Sequence, residues 1–226
     1  MIRKYVGCIL LLLTLLVLSI QVFADDKEKD EQTFRNAANV LQAMTSSKDV
    51  PKSVLSKADC IIILPSVKKF AVGIGGTGGR GPMSCRSGKN YRGKWSAPAM
   101  YQIGGASAGL QLGGTSTDFV LLIMTPTAVD KVLDGKVKVG QDATAAAGPG
   151  ATTGGTIGGA DILTYAQAKG LFAGVSLNGA SLSPDGEANA RLYGEGVTAR
   201  KVVTGTTVKA TAGGKSLVTA LDVNAK

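Results

Sequence analysis

The 226-residue chain contains no histidine. That absence removes Ser-His-Asp triads, Cys-His nucleophile pairs and His-ligated zinc or haem. An enzyme built from this sequence would have to work with carboxylates, Lys, Tyr or a bound cofactor. Cysteine is scarce too. Beyond residue 24 only Cys60 and Cys85 remain, and two thiolates without histidine cannot complete a structural zinc site. Charge of one sign is short: 16 acidic residues face 25 basic ones, for a net charge of +9. Glycine is plentiful, at 31 residues, and 44% of the chain is hydrophobic, so composition excludes a disordered polymer. The length suits one domain with a core of its own.

Residues 1–24 read as a secretory signal peptide. Arg3 and Lys4 form a positive start, Val6 to Ile20 is almost wholly apolar, and Val22-Phe23-Ala24 is a small-residue cleavage signal before Asp25. An uncleaved anchor is the other reading of the same segment. Cleavage takes Arg3 and Lys4 and no acid from the balance, leaving +7. The expected location is therefore outside the cytoplasm, periplasmic or secreted, with anionic partners. In an oxidising compartment Cys60 and Cys85 have two open fates: a disulfide worth about 3 kcal/mol, or two buried thiols.

Asp25–Glu31 alternates in charge and reads as a frayed helix start or as a charged linker over 25–32. From Thr33 the pattern turns helical, with Phe34, Ala37, Ala38, Leu41 and Met44 at three- and four-residue steps. Pro51 can open a short second helix. Cys60–Leu64 is a β-branched run stopped by Pro65, hence a buried strand. Phe70–Gly75, Pro82–Arg86, Ala99–Gly104, Ala108–Gly113 and Asp118–Met124 follow as strands, separated by glycine-rich joints such as Gly75–Gly79. Pro126–Leu133 predicts a helix with Gly135 past its end. Gly140–Gly159 is a Gly, Ala and Thr stretch. Ala160–Tyr165 and Gly170–Leu177 are strand-like, Asn189–Tyr193 a helical turn, and residues 204–226 a basic hairpin or tail. The expected fold class is α+β: a β-rich single domain with a strongly curved antiparallel sheet or small barrel, an N-terminal helix and short accessory helices.

Four motif matches fail their context tests. Gly73–Gly78 spells G-x-G-x-x-G, but Gly79-Arg80-Gly81-Pro82 cannot open the helix that a dinucleotide site needs. Gly105–Gly109 spells G-x-S-x-G around Ser107, without a histidine base. Ser66-Val67-Lys68-Lys69 spells S-x-x-K without its companion motifs. Gly214-Lys215-Ser216 ends like a P-loop whose first glycine is replaced by Lys209. No catalytic residue, metal or cofactor is therefore expected.

The basic residues make the stronger candidate site. Lys68 and Lys69 follow the first strand, Arg80 lies in a glycine-rich joint, and Arg86 and Lys94 flank Tyr91 and Trp95. If the first hairpins fold back, Lys68, Lys69, Arg80, Arg86 and Lys94 share one rim beside an interfacial Trp95, which suits an anionic bilayer. A solvated loop with a structural tryptophan is the alternative. Basic–aromatic interleaving also suits nucleic acid, but export argues against that partner.

The run Ala58–Lys69, then Gly75–Gly81, Ser84-Cys85-Arg86, Trp95-Ser96-Ala97-Pro98, Gly104–Gly113, Asp118–Met124, Ala147-Gly148-Pro149, Lys169–Leu177 and Asn189–Gly194 resemble, in order, the SYLF domain, also called the Ysc84 actin-binding domain family. The resemblance covers 33–203. It implies a compact, non-catalytic lipid-binding domain; eukaryotic members bind phosphoinositides through a basic surface, and some bind actin. For an exported chain it implies generic anionic phospholipid at the cell envelope, with actin not expected. The alternative is a structural or protein-interaction domain of the envelope with an envelope protein as partner.

Overall fold

The computed structural model describes residues 25–72, 74–108, 113–135, 137–138, 161–169 and 180–225. The leader-like residues 1–24, the Gly140–Gly159 stretch and the Gly170–Leu177 strand expectation lie outside the described residues.

Helix α1 runs over 25–46. Phe34, Ala37, Leu41 and Met44 are fully buried along its core-facing stripe. Of the two readings of residues 25–32 the helix start holds and the linker does not: they form its first turns, where Asp30 and Glu31 meet distant partners. Pro51 precedes the single turn α2 (Lys52–Leu55). Four long strands follow: β1 (Cys60–Val72), β2 (Ile74–Cys85), β3 (Ala99–Ala108) and β4 (Gly113–Ile123). Helix α3 (Pro126–Leu133) has the bounds that the sequence predicts. Thr125 caps it, accepting from Ala128 N–H, and Gly135 leaves it at φ +67°. Strands β5 (Val137–Lys138), β6 (Ile162–Lys169) and β7 (Ser181–Pro184) and helices α4 (Gly186–Tyr193), α5 (Ala199–Thr204) and α6 (Ala212–Asn224) complete the elements of the described residues.

All seven strands form one antiparallel sheet in the order β5-β7-β3-β2-β1-β4-β6. The expected α+β class with a curled antiparallel sheet and accessory helices is what the molecule has. Its glycine-rich joints, however, are strand interior. Gly75–Gly81 pairs residue by residue with Tyr101–Ser107, and Gly75, Gly76 and Gly78 pair with Ala71, Phe70 and Lys68. The Phe70–Gly75 expectation straddles the β1–β2 turn. The C-terminal tail is instead α5 and α6, with Leu217 and Leu221 buried one turn apart.

Proline 65 does not end β1; it sits in a β-bulge. Pairing slips by one residue between Leu64 and Val67 against β4, and between Ile62 and Lys68 against β2. Ser66 adopts φ +52°, and its N–H donates to Asp118 Oδ1 at 2.7 Å. The bulge changes which residues face which side. Cys60, Ile62, Leu64 and then Val67 pack with α3 and α5 on one face. Ile61 and Ile63 pack with α1, α2 and α6 on the other. Cys60 and Cys85 are register partners and are disulfide-bonded across β1 and β2.

Candidate functional site

Beyond the bulge the α1-side face of the sheet has no apolar cover among the described residues. The side chains there come from Lys68, Phe70, Gln102 and Ser116, with Gly76, Gly78, Gly104 and Gly114 between them. Helix α1 crosses the sheet beside this bare half and leaves a groove of about 900 Å³. Its helix wall carries Asn36, Asn39 and Ala43; its sheet side carries Ser66, Lys68, Gly78, Asp118 and Gln167. Phe70 stands at the outer end, 62% exposed, with its ring over Gly76.

One charged residue in the groove is fully committed. Arg80 donates to Asp30 Oδ1 and Asp185 Oδ2, each at 2.7 Å. Asp30 is fully buried and also accepts from Arg191 Nε at 3.0 Å. This neutral set ties α1 to β2 and to α4, whose N-terminus Asp185 caps. The neighbouring Glu31 accepts from Gly213 N–H and Thr211 Oγ1, and so seats the start of α6 on α1. Lys68 is exposed and makes no ion pair among the described residues.

The six cation–Trp candidates do not form one rim. Lys68 and Lys69 alternate to opposite faces of β1. They lie roughly 25 Å along the strand from Cys60, whose partner Cys85 precedes Arg86. Arg80 spends its charge on Asp30 and Asp185. Trp95 is 6% exposed and packs in the α1–α2–α6 core. It is buried because Ser96 folds back on β2, its hydroxyl accepting from Cys85 N–H. Arg86 covers its ring at 4.5 Å and donates to the Ala225 carbonyl at the end of α6. Burial, then repulsion from Arg92, lowers the Arg86 pKa, while Asp222 raises it. Lys94 is exposed in the loop beside them. Of the candidates, only Lys68 lines the groove as an uncommitted cation.

The groove residues Asn36, Asn39 and Gln167 and the exposed Phe70 escaped the sequence reading. Asn36 and Asn39 stand one step outside the apolar stripe of α1, and that spacing is the signal that could have found them. Ser107 and Ser66, the two motif serines, are strand and bulge residues. Of the Gly73–Gly78 motif the described residues, 74–78, open β2, and no helix follows them there. Among the described residues no cluster of Cys, Asp and Glu could hold a metal ion, and no helix is long and apolar enough to cross a membrane.

A family model described as Ysc84, Las17-binding protein actin regulator, matches residues 104–223. The chain is 35% identical over 171 residues to an SH3 domain-containing protein of Schizosaccharomyces pombe, covering 73% of this chain and 39% of that one. It is 32% identical over 171 residues to LAS seventeen-binding protein 3 of Saccharomyces cerevisiae, covering 73% and 36%. It is 32% identical over 185 residues to SH3 domain-containing YSC84-like protein 1 of Homo sapiens, covering 76% and 53%. The matches thus span between about a third and a half of these relatives. No solved structure matches significantly. The family model carries the name of a binding protein and regulator, LAS seventeen-binding protein 3 that of a binding protein, and none of these relatives carries the name of an enzyme. The expectation that actin is not among the partners is overturned, since the family model is an actin regulator's and a relative is named for binding Las17.

Proposed function

The chain belongs to the Ysc84 (SYLF) family, and from that premise we propose that it is a non-catalytic protein-binding domain whose contact surface is the uncovered half of the sheet beside α1. The observation that carries the reading is Phe70, 62% exposed beside Lys68, which has no ion pair among the described residues, on a face that no described helix covers. A large apolar side chain in the open next to a cation suits a partner that buries the ring and brings an acidic group. The names of the relatives support a protein partner, and a protein of the actin-assembly machinery is the first candidate.

Co-sedimentation of the full chain with actin filaments tests it. The expected result is salt-sensitive pelleting that falls at least tenfold in a Phe70→Ser, Lys68→Glu double variant. No pelleting at low salt, or pelleting unchanged by the double variant, refutes the surface. A second reading, binding of anionic phospholipid, is favoured by Phe70 standing with Lys68 on one face of β1 while Lys69 adds a second cation from the other face. Each lysine would add about 1 kcal/mol at an anionic surface. Vesicle flotation with and without phosphatidylserine tests that reading, and equal flotation on both vesicles refutes it.

A further inference from the structure

Glycine weakens a strand by its backbone entropy, so glycines inside β2, β3 and β4 call for a cause. On the face packed by α3 and α5 the cause is steric. A Cβ on Gly81 would lie 1.9 Å from the Ile63 carbonyl oxygen, one on Gly79 2.8 Å from Val67 Cγ2, and one on Gly105 3.0 Å from Ala180 Cα. On the α1 face Gly76 is accounted for by the Phe70 ring, 2.9 Å away. Gly78 and Gly104 differ. A Cβ on either meets nothing within 4 Å, and neither has a positive φ. They are cross-strand partners, and Gly78 lies opposite Lys68 in the register. Neither packing nor backbone conformation within the described chain asks for glycine at these two positions. A strand left bare in this way is where another backbone comes close.

The walls indicate what kind of backbone. Asn39 on α1 offers an amide donor and acceptor, Asn36 offers its Nδ2 donor while its Oδ1 accepts from Gln32 Nε2, and Gln167 offers its Oε1 while its Nε2 donates to Asp49. That is the complement of peptide groups. Lys68 and Phe70 point to the same face two residues apart, about 7 Å, which is also the i to i+2 spacing of an extended ligand. Arg80 cannot be the anion anchor, because Asp30 and Asp185 already hold it. We propose that the groove between α1 and the sheet binds an extended peptide segment of a partner. The segment lies over Gly78 and Gly104, with a carboxylate on Lys68 and an apolar side chain two residues away on Phe70. This deepens the protein-binding reading and rests on it.

The experiment uses fluorescein-labelled octapeptides with an Asp-Val-Phe centre flanked by Gly and Ser, read by fluorescence anisotropy against the full chain. Asn-Val-Phe and Asp-Val-Ser peptides are the controls. The expected result is saturable binding of Asp-Val-Phe, at least tenfold weaker for either control and for Lys68→Glu. Gly78→Val and Gly104→Ala should weaken binding at least tenfold while leaving Tm unchanged or higher, because the added carbons enter open space and valine favours a strand. Lack of saturable binding, binding unmoved by both glycine variants, or a lower Tm in both overturns the inference. Actin pelleting of the same proteins separates the two levels. Wild-type-like pelleting of both glycine variants overturns the groove and leaves protein binding standing, whereas no pelleting of the unaltered chain removes the parent reading itself.

Discussion

Asp30→Asn tests what holds α1 beside the groove. The native carboxylate is fully buried and accepts from two guanidinium groups, Arg80 at 2.7 Å and Arg191 at 3.0 Å. An Asn there can accept from one arginine but turns an N–H₂ toward the other, so two donors face each other. Breaking a buried ion pair costs about 3–5 kcal/mol. Here the arginine side chains are 38% and 21% exposed, and water recovers part of the loss. The expected cost is therefore about 2–3 kcal/mol. For a chain of this size that lowers Tm by about 5–10 °C. Urea unfolding followed by far-UV circular dichroism measures it, with a lower midpoint and an unchanged slope. Asp25→Asn is the control. It removes only the exposed pair with Lys29, which solvent screens, and the expected melt is that of the unaltered chain. An Asp30→Asn change as small as the control's would refute the claim that this network anchors the helix.

Other perturbations have defined outcomes. Reducing the Cys60–Cys85 bond, which closes a sequence separation of 25, should cost about 3.5 kcal/mol and lower Tm by roughly 10 °C; an equal melt with and without dithiothreitol contradicts this. Asp59 is buried, and its pKa is raised by that burial against the opposing pull of Arg92. A raised carboxyl binds its proton more tightly folded than unfolded, so stability falls as pH rises through the ordinary carboxylate range. Asp59→Asn should thus raise Tm at pH 7 and lose that advantage toward pH 4; a gain independent of pH rules the cause out. Tyr101 is fully buried, and its hydroxyl has no hydrogen-bond partner among the described residues. Tyr101→Phe should therefore be neutral or stabilising by about 1 kcal/mol, and a clear loss in thermal melts would reveal a partner. Export, proposed from residues 1–24, should give a mature mass beginning at Asp25; a chain that retains Met1 counts against cleavage.

Local chemistry was legible in the sequence, and long-range chemistry was not. Helix α3 shows its bounds because Thr125, Pro126 and Gly135 are all local signals. The core stripe of α1 and the opening of β1 were likewise readable from spacing. The first turns of α1 could not be told from a linker because the partners of Asp30 and Glu31 lie 161 and 182 residues away at Arg191 and Gly213. Gly213 and Gly214 hid the start of α6, although glycine is needed there. A Cβ on Gly213 would lie 2.3 Å from the Glu31 carbonyl oxygen. Trp95 read as an interfacial residue because nothing in its neighbourhood announces that Arg86 and the end of α6 close over it. The groove was invisible for a related reason: its two walls, α1 and the outer half of the sheet, meet only in three dimensions.

The extra residue at Pro65–Ser66 decides which side of the sheet everything beyond it faces. Were the same sequence to run through this point without a bulge, alternation would continue unbroken from Leu64, Lys69 would enter the groove in place of Lys68, and Phe70 would turn toward the opposite side of the sheet. Deleting one residue there removes the bulge instead, keeps Val67, Lys68 and Phe70 opposite their present partners, and leaves the groove with the side chains it has now.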